Sequence, residues 1–213
     1  MNRRHFTLFT ALGAGLGFSA RAGSQNAPVV LVVGDSLSAE YGLRRGSGWV
    51  TLLEQRLSQD GRGLRVVNAS VSGDTTSGGR SRLPALLQTH RPAVVVIELG
   101  GNDALRGLPL DMTRDNLRAM ARASREAGAR VLLVGMEMPP NYGARYAEEF
   151  RQIYRQVAQQ ESAALVPFLL RGVADGPDPV AYFQPDRIHP NESAQPRMLD
   201  NVWPELRRLL PKG

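Results

Sequence analysis

The stretch VVLVVGDSLS, residues 29–38, decides the fold of this chain, because it joins an apolar run to a tight turn. Five consecutive Val and Leu side chains are typical of a strand that is covered on both faces of a parallel sheet. The turn Gly34-Asp35-Ser36 follows directly. In such sheets functional groups collect beyond the carboxyl ends of the strands, so Ser36 lies where a functional side chain is expected.

Apolar runs and amphipathic segments alternate along the rest of the chain. Four further runs are interpreted as strands, at residues 64–68, 93–99, 130–135 and 164–167. Five segments with apolar residues near helical spacing are interpreted as helices, at residues 49–57, 83–88, 113–127, 145–160 and 195–210, with Gly128 as a helix stop. Pro84 and Pro196 are expected near helix starts, where proline is tolerated. The alternation predicts an α/β fold, a three-layer α/β/α sandwich around a five-stranded, mainly parallel sheet.

The composition fits one domain and argues against a nucleic-acid partner. With 213 residues, 42% of them hydrophobic, the chain is long enough for one substantial core. The formal net charge is +6, but Arg3, Arg4 and Arg21 lie in an N-terminal segment without acidic residues. The other arginines are interspersed with acidic residues instead of forming a dense basic tract. Because the chain has no cysteine, we expect its stability to come from the core without disulfides.

The first 22 residues have the composition of a signal peptide. A basic start precedes an apolar core at residues 6–18 and a small-residue cleavage site at residues 20–22. A membrane anchor is the alternative, but glycines interrupt the apolar stretch, which falls short of the roughly 20 residues that a spanning helix needs. The pair Arg3-Arg4 resembles a twin-arginine export signal, with an ordinary basic start as the alternative. We expect export to the periplasm or the medium, no stable membrane insertion, and a single mature domain at residues 23–213.

Three candidate site residues, Ser36, Gly73 and Asn102, each follow a predicted strand. A serine hydroxyl is a poor nucleophile at neutral pH and needs a base beside it, while acyl transfer needs hydrogen-bond donors where negative charge develops. The amides of Ser36 and Gly73 and the carboxamide of Asn102 are suitable donors. Taken singly, each residue also has a structural explanation, as a helix cap, a turn glycine or an Asx turn. Their common position at one sheet edge favours an oxyanion hole around a nucleophilic Ser36.

His189 is the candidate base. His5 lies in the predicted signal peptide, and His90 enters a predicted strand and is interpreted as structural. Asp186 precedes His189 by three residues, a spacing at which one turn brings a carboxylate to Nδ1 and leaves Nε2 facing the serine. A surface Asp-His pair followed by a proline is the alternative interpretation.

Four ordered segments resemble the four blocks of the GDSL or SGNH hydrolase family. They are Gly34-Asp35-Ser36-Leu37-Ser38, Gly73, Gly100-Gly101-Asn102-Asp103 and Asp186-Arg187-Ile188-His189-Pro190, and they span nearly the whole mature chain. Residues 139–143 and 194–204 further resemble the family's periplasmic subgroup of thioesterase I, lysophospholipase and arylesterase enzymes. The resemblance implies a flavodoxin-like sheet and, without a cofactor or metal, the hydrolysis of acyl esters, aryl esters, acyl-CoA or lysophospholipids. The roles it implies are Ser36 as nucleophile, His189 as base, Asp186 as its orienting partner, and Ser36, Gly73 and Asn102 as the oxyanion hole.

One position departs from the subgroup pattern. Arg187 stands where the subgroup usually has glycine, and its side chain is expected to alter access or attract an anionic substrate without removing a catalytic group. The motifs identify no substrate-binding residue. The loops at residues 104–109 and 138–143 are candidates for contact with an acyl chain, and ordinary connections are the alternative.

Two other functions fit the same segments. A carbohydrate acetyl-esterase is the enzymatic alternative, and a non-catalytic binding module on the same fold is the other. The intact set of Ser36, Asp186 and His189 argues against the binding module, because binding alone needs no triad. A nucleotide-binding protein is disfavoured, since the first strand is followed by neither a Gly-x-Gly-x-x-Gly nor a Gly-Lys-Ser/Thr segment. We expect a monomer that acts on a small-molecule ester or thioester.

Overall fold

The computed structural model describes residues 27–138 and 140–211. Five parallel strands form one sheet: β1 (Val29–Gly34), β2 (Arg65–Asn68), β3 (Val94–Glu98), β4 (Arg130–Val134) and β5 (Ala164–Val166). Their order across the sheet is β2-β1-β3-β4-β5, which is the flavodoxin-like arrangement. The predicted α/β fold with a parallel five-stranded sheet is confirmed, whereas the predicted signal peptide lies outside the described residues.

The described residues form six helices, five between successive strands and one after the last strand. They are α1 (Trp49–Gln59), α2 (Thr76–His90), α3 (Gly101–Leu105), α4 (Leu110–Glu126), α5 (Ala144–Gln160) and α6 (Gln195–Leu209). Short 3₁₀ turns lie at Pro140–Tyr142, Pro179–Tyr182 and Glu192–Ala194. Gly128, with φ of 87°, follows the end of α4 as the sequence predicts. Within the described ranges, no helix has the length and apolar content that crossing a membrane requires.

The strands separate two hydrophobic layers, which makes the molecule a three-layer sandwich. Along β1, Val30 and Val32 pack with residues of α1 and α6, whereas Leu31 and Val33 pack with residues of α2, α4 and α5. All four side chains are fully buried. Burial of each such side chain contributes about 1.5–3 kcal/mol, so both faces of β1 anchor the turn that follows it.

The helix α2 differs from the prediction. It begins at Thr76 instead of residue 83, and the Thr75 side chain accepts a hydrogen bond from Gly78 N at its start. The first turns lack a periodic apolar pattern, but Gly79 packs so close to Leu99, the residue after β3, that a Cβ there would overlap the Leu99 side chain. Close packing of Gly79 against Leu99 therefore stabilises the first turns of α2, which the apolar periodicity does not predict. The expectation that Pro84 lies near a helix start is wrong, because it lies inside α2.

Candidate active site

The site lies where the chain reverses its direction of travel across the sheet. From β1 the chain runs outward to β2 and then returns past β1 to β3, and this switch opens a crevice at the carboxyl ends of β1 and β3. Ser36 follows β1, Gly73 follows β2 and Asn102 lies in the first turn of α3, directly after β3. The described structure thus places these three predicted site residues at one edge of the sheet.

A continuous chain of polar contacts joins Ser36, His189 and Asp186. Ser36 Oγ lies 3.0 Å from His189 Nε2, and His189 Nδ1 lies 2.6 Å from Asp186 Oδ2. An ionised carboxylate only accepts hydrogen bonds, so Nδ1 is the donor to Asp186. In the neutral imidazole Nε2 is then the acceptor that faces the serine hydroxyl. This is the geometry in which a histidine can remove the proton from a serine.

Asp186 is held in its charged form. Its Oδ1 accepts hydrogen bonds from His189 N at 3.0 Å and Ile188 N at 2.9 Å. These two amides and the imidazole lower the pKa of Asp186 to about 2, because each bond favours the carboxylate. The Asp186 side chain therefore both stabilises this turn and orients the His189 ring.

The loop that carries His189 is tied to the turn that carries Ser36. Gln184 Nε2 donates to Tyr41 O at 2.8 Å and to Pro190 O at 3.1 Å. The Tyr41 ring packs on the His189 ring, with centroids 4.4 Å apart. Sequence analysis missed both Gln184 and Tyr41, because their roles depend on a contact between segments 143 positions apart.

Arg187 adopts a left-handed backbone conformation, with φ of 57°. This region favours glycine, since a Cβ there approaches the following carbonyl oxygen. The conformation explains why a glycine suits this position in the subgroup that the sequence resembles. The Arg187 backbone remains in place because its amide donates to Gln184 O at 2.9 Å, which closes the turn before His189.

The predicted oxyanion-hole donors are free at two of three positions. Among the described residues, neither Ser36 N nor Gly73 N has a hydrogen-bond acceptor. Gly73 has φ of 78°, and Arg106 Nη2 donates to its carbonyl oxygen at 2.7 Å. Asn102 Nδ2 donates to Asp35 Oδ2 at 3.1 Å, which occupies one of its two hydrogens. The arrangement leaves donors available to a developing oxyanion.

Buried acidic side chains lie beneath the turn that carries Ser36. Glu98 is fully buried at the end of β3, where its Oε2 accepts from Ser38 Oγ at 2.7 Å and from Asp35 N at 3.4 Å. Burial raises the pKa of Glu98 well above its usual range and that of Asp35 to about 6. Sequence analysis missed this pair. The available signal was a carboxylate that ends an otherwise wholly apolar strand.

A further buried carboxylate, Asp103, joins the helices beside Asn102. Asp103 accepts hydrogen bonds from Thr76 N at 2.9 Å, from the Thr76 hydroxyl, and from Thr113 Oγ1 at 3.3 Å. Asn116 Nδ2 donates to the Thr76 hydroxyl at 3.1 Å. The first turns of α2, α3 and α4 are therefore locked together. This network fixes the helix on which Asn102 stands.

An apolar cavity of about 180 Å³ adjoins the site. It is lined by Gly101, Leu105, Met136, Glu137, Met138, Phe168, Leu170, Ala174, Phe183, Arg187 and Ile188. Its walls thus include the neighbours in sequence of Asn102 and His189 and one residue from each loop proposed for acyl-chain contact. A larger depression of about 730 Å³ lies between α1 and the start of β2, at the amino ends of the strands and therefore at the opposite edge of the sheet from these groups. The smaller cavity is the one placed to receive part of a reacting molecule.

The described ranges contain no group of three or more His, Cys, Asp or Glu side chains arranged to hold a metal ion.

Comparison with known proteins identifies relatives over most of the chain. Residues 32–195 match the GDSL-like Lipase/Acylhydrolase family. Esterase TesA of Pseudomonas aeruginosa is 55% identical over 184 residues, which are 86% of this chain and 90% of that protein. An arylesterase of Vibrio mimicus is 41% identical over 189 residues, 89% of this chain and 93% of that protein. Thioesterase 1/protease 1/lysophospholipase L1 of Escherichia coli K12 is 41% identical over 184 residues, 86% of each chain.

Solved structures agree with this result. The crystal structure of TesA has a TM-score of 0.82 at 55% identity and covers 85% of this chain and 99% of that one. The psychrotrophic esterase EstA from Pseudoalteromonas sp., inhibited by monoethylphosphonate, has a TM-score of 0.79 at 37% identity, with coverage of 84% and 97%. The prediction of an ester-hydrolysing enzyme is confirmed. With a match over residues 32–195 and relatives at 41–55% identity, the chain belongs to the GDSL-like lipase/acylhydrolase family.

Proposed function

We propose that the chain is a serine esterase in which Ser36 is the nucleophile, His189 the general base and Asp186 the residue that orients it. The observation that carries the proposal is the unbroken contact from Ser36 Oγ to His189 Nε2, at 3.0 Å, and from His189 Nδ1 to Asp186 Oδ2, at 2.6 Å. A binding module has no need of this alignment. An enzyme that forms an acyl-serine requires it.

The reaction proceeds in two transfers. Ser36 Oγ attacks the carbonyl carbon of an ester or thioester while its proton passes to His189 Nε2. The amides of Ser36 and Gly73 and the carboxamide of Asn102 stabilise the resulting oxyanion. Its collapse expels an alkoxide or thiolate, which takes the proton from His189 and leaves an acyl-serine. Water then attacks that acyl group, gives a proton to His189, and releases the acid as Ser36 recovers its proton.

The cavity beside the site favours a short or medium acyl chain. Its volume of about 180 Å³ is below the roughly 300–1,000 Å³ that accommodates a drug-sized ligand. Its lining is mostly apolar, and the exposed side chains of Leu105 and Ile188 extend the apolar surface to its edge. We assign the acyl chain to this cavity and the alcohol or thiol to the open side. The names of the relatives extend the candidate substrates to aryl esters, thioesters and lysophospholipids.

Replacement of the nucleophile tests the reaction class. The Ser36→Ala variant is expected to lose at least about 10³-fold in kcat towards a p-nitrophenyl ester, because the nucleophile and its base act as a unit. Ser58→Ala, a change of an exposed serine in α1, is the matched control and should retain activity. An organophosphate should add its mass to Ser36 and to no other residue. Turnover by folded Ser36→Ala would contradict the assignment of Ser36 as the nucleophile.

A panel of substrates tests the acyl assignment. The rate towards p-nitrophenyl esters of increasing chain length is expected to peak at short or medium chains. Leu105→Trp, which partly fills the cavity, should shift that peak towards shorter chains. An unchanged profile would contradict the assignment of the cavity. Faster hydrolysis of acetyl-xylan than of any simple acyl ester would favour the carbohydrate acetyl-esterase instead.

We also infer that residues 1–22 direct export and that the mature protein is a monomer in the periplasm or the medium. The basic start, apolar core and small-residue end of this segment support export. Cell fractionation and the N-terminal sequence of the purified protein test it. Replacement of Arg3 and Arg4 by lysine should abolish export only if the twin-arginine route is used. Retention of the full chain in the cytoplasm, or a dimer mass by light scattering, would contradict the respective inference.

A further inference from the structure

The buried carboxylate of Asp35 accepts hydrogen bonds both from the turn that carries Ser36 and from the side chain of Asn102. Asp35 is 2% exposed. Oδ1 accepts from Leu37 N at 3.1 Å, the amide that directly follows Ser36, and Oδ2 accepts from Asn102 Nδ2 at 3.1 Å. The turn after β1 and the helix after β3 are thereby joined through a single residue.

The contact with Asn102 decides which end of its carboxamide faces the substrate. A carboxamide has a donating and an accepting end of nearly equal shape, and a rotation of 180° exchanges them. A carboxylate only accepts, so it selects the orientation in which Nδ2 faces Asp35. The second hydrogen of the same Nδ2 group remains for the oxyanion. In the opposite orientation the carbonyl oxygen would be presented to a developing negative charge.

We propose that Asp35 is a positioning residue that holds the carboxamide of Asn102 with its donating end at the oxyanion site. The inference rests on the proposed function, because it assigns to Asp35 an effect on the oxyanion donor of that reaction.

The backbone beneath Asp35 is fixed well enough for this role. Asp35 N donates to the fully buried Glu98, and Glu98 Oε2 also accepts from Ser38 Oγ on the other side of the nucleophile. A Cβ at Gly34 would lie 2.8 Å from Glu98 Oε2, so the strand end approaches the carboxylate as closely as glycine permits. The backbone at Asp35 is therefore closely packed, and hydrogen bonds in such a dry environment are electrostatically stronger than in water.

The Asp35→Asn variant tests the proposal with little change of shape. An asparagine at this position cannot accept from both Leu37 N and Asn102 Nδ2, because one end of its side chain is now a donor. We expect Asn102 to lose its fixed orientation and kcat to fall about 10- to 100-fold, with KM changed less than threefold, since the oxyanion exists only in the transition state.

A double-mutant cycle separates positioning from a general structural effect. In the Asn102→Ala background, Asp35→Asn is expected to lower kcat less than threefold further, because the group it positions is already absent. The same 10- to 100-fold loss in both backgrounds would overturn the proposal. So would an unchanged kcat of Asp35→Asn in the wild-type background.

Two controls keep the experiment informative. Glu161→Gln neutralises another buried carboxylate, which follows the end of α5 and pairs with Arg122 of α4. Because Glu161 contacts none of the site residues, this variant should leave kcat unchanged. If Asp35→Asn does not fold, Asp35→Ser replaces it, because a serine hydroxyl can accept from Leu37 N but is too short to reach Asn102. It should show the same loss. Failure of the serine mechanism itself would be distinguishable, since organophosphate would then not label Ser36 in the wild-type enzyme.

Discussion

Two aspartates of the site, Asp35 next to Ser36 and Asp186 against His189, have pKa values shifted in opposite directions. Hydrogen bonds from the His189 and Ile188 amides lower the pKa of Asp186 to about 2, whereas burial raises that of Asp35 to about 6. Asp186, the more exposed of the two, is therefore charged at any ordinary pH. A permanent negative charge there stabilises the His189 ring when it is protonated. Divergent environments of this kind are common where acid and base chemistry meet.

Replacement of Asp186 by asparagine should remove most of the activity. The new carboxamide can keep the bonds from the Ile188 and His189 amides, but its donating end then faces His189 Nδ1 and favours the wrong tautomer. We expect kcat to fall between about 10² and 10⁴-fold, with circular dichroism unchanged. Asp178→Asn, in the same loop region but outside the contact chain, is the control. Equal activities of the two variants would contradict the role of Asp186.

Glu98 should make stability fall as pH rises. Its folded-state pKa is above the unfolded value of about 4.3, so the folded state binds the extra proton in the interval between the two. The contribution of Glu98 to the free energy of unfolding is therefore fully present at low pH and is lost as pH rises through that interval. Asp35 also lowers the free energy of unfolding as pH rises, between about pH 4 and 6. Glu98→Gln, which cannot ionise, should gain stability relative to wild type from pH 5 to 8 in urea unfolding. Parallel curves for the two proteins would contradict this.

The sequence predicted the residues whose chemistry is local and missed those whose role depends on distant partners. Ser36, Asp186 and His189 are recognisable from their immediate neighbours and spacing. Asp35 and Glu98 meet only because β1 and β3 are adjacent, in the register that places Gly34 opposite Glu98. Nothing in a single chain reveals that pairing before the strand order is known.

At the scale of secondary structure, periodic segments were predicted well and aperiodic ones were not. The bounds of α5 and α6 differ from the prediction by one residue, because apolar residues recur along both helices. The helix α3 and the first half of α2 have no such pattern. They form because Asp103 and Gly79 provide tertiary contacts that periodicity cannot represent.

Pro84 lies inside α2 on its exposed side and lacks the amide that would bond to the preceding turn. Pro84→Ala restores that bond, and proline costs about 3 kcal/mol relative to alanine inside a helix, partly offset by its lower unfolded-state entropy. We expect a gain of about 1–2 kcal/mol, which is several degrees in Tm for a chain of this size.

Pro196 provides the matched control, because it lies in the first turn of α6, where its missing amide has no intrahelical partner. Pro196→Ala should leave Tm within about a degree or lower it. A larger gain from Pro196→Ala than from Pro84→Ala in differential scanning calorimetry would contradict the explanation.

At the scale of the whole molecule, the described residues form a hydrophobic layer on each face of the sheet. The first strand begins at Val29, and α6 closes one face of the sheet against α1. The order of layers followed from the alternation in sequence, but the order of strands within the sheet did not.

Removal of residues 1–22 should therefore leave the fold and the activity unchanged. We expect the Tm and kcat of the shortened chain to equal those of the full chain within error. Because the chain has no cysteine, a reducing agent should shift neither value. A shortened chain that unfolds at a lower temperature would show that the N-terminal segment belongs to the domain.

Ser36 and His189 are 153 positions apart in the chain but share a hydrogen bond. At synthesis rates of about 5–20 residues per second, the ribosome adds the histidine about 8–30 s after the serine. Throughout that interval the nascent polypeptide has the proposed nucleophile without its proposed base, and α6 has not been made. On that proposal, we expect products that end before His189 to hydrolyse no ester.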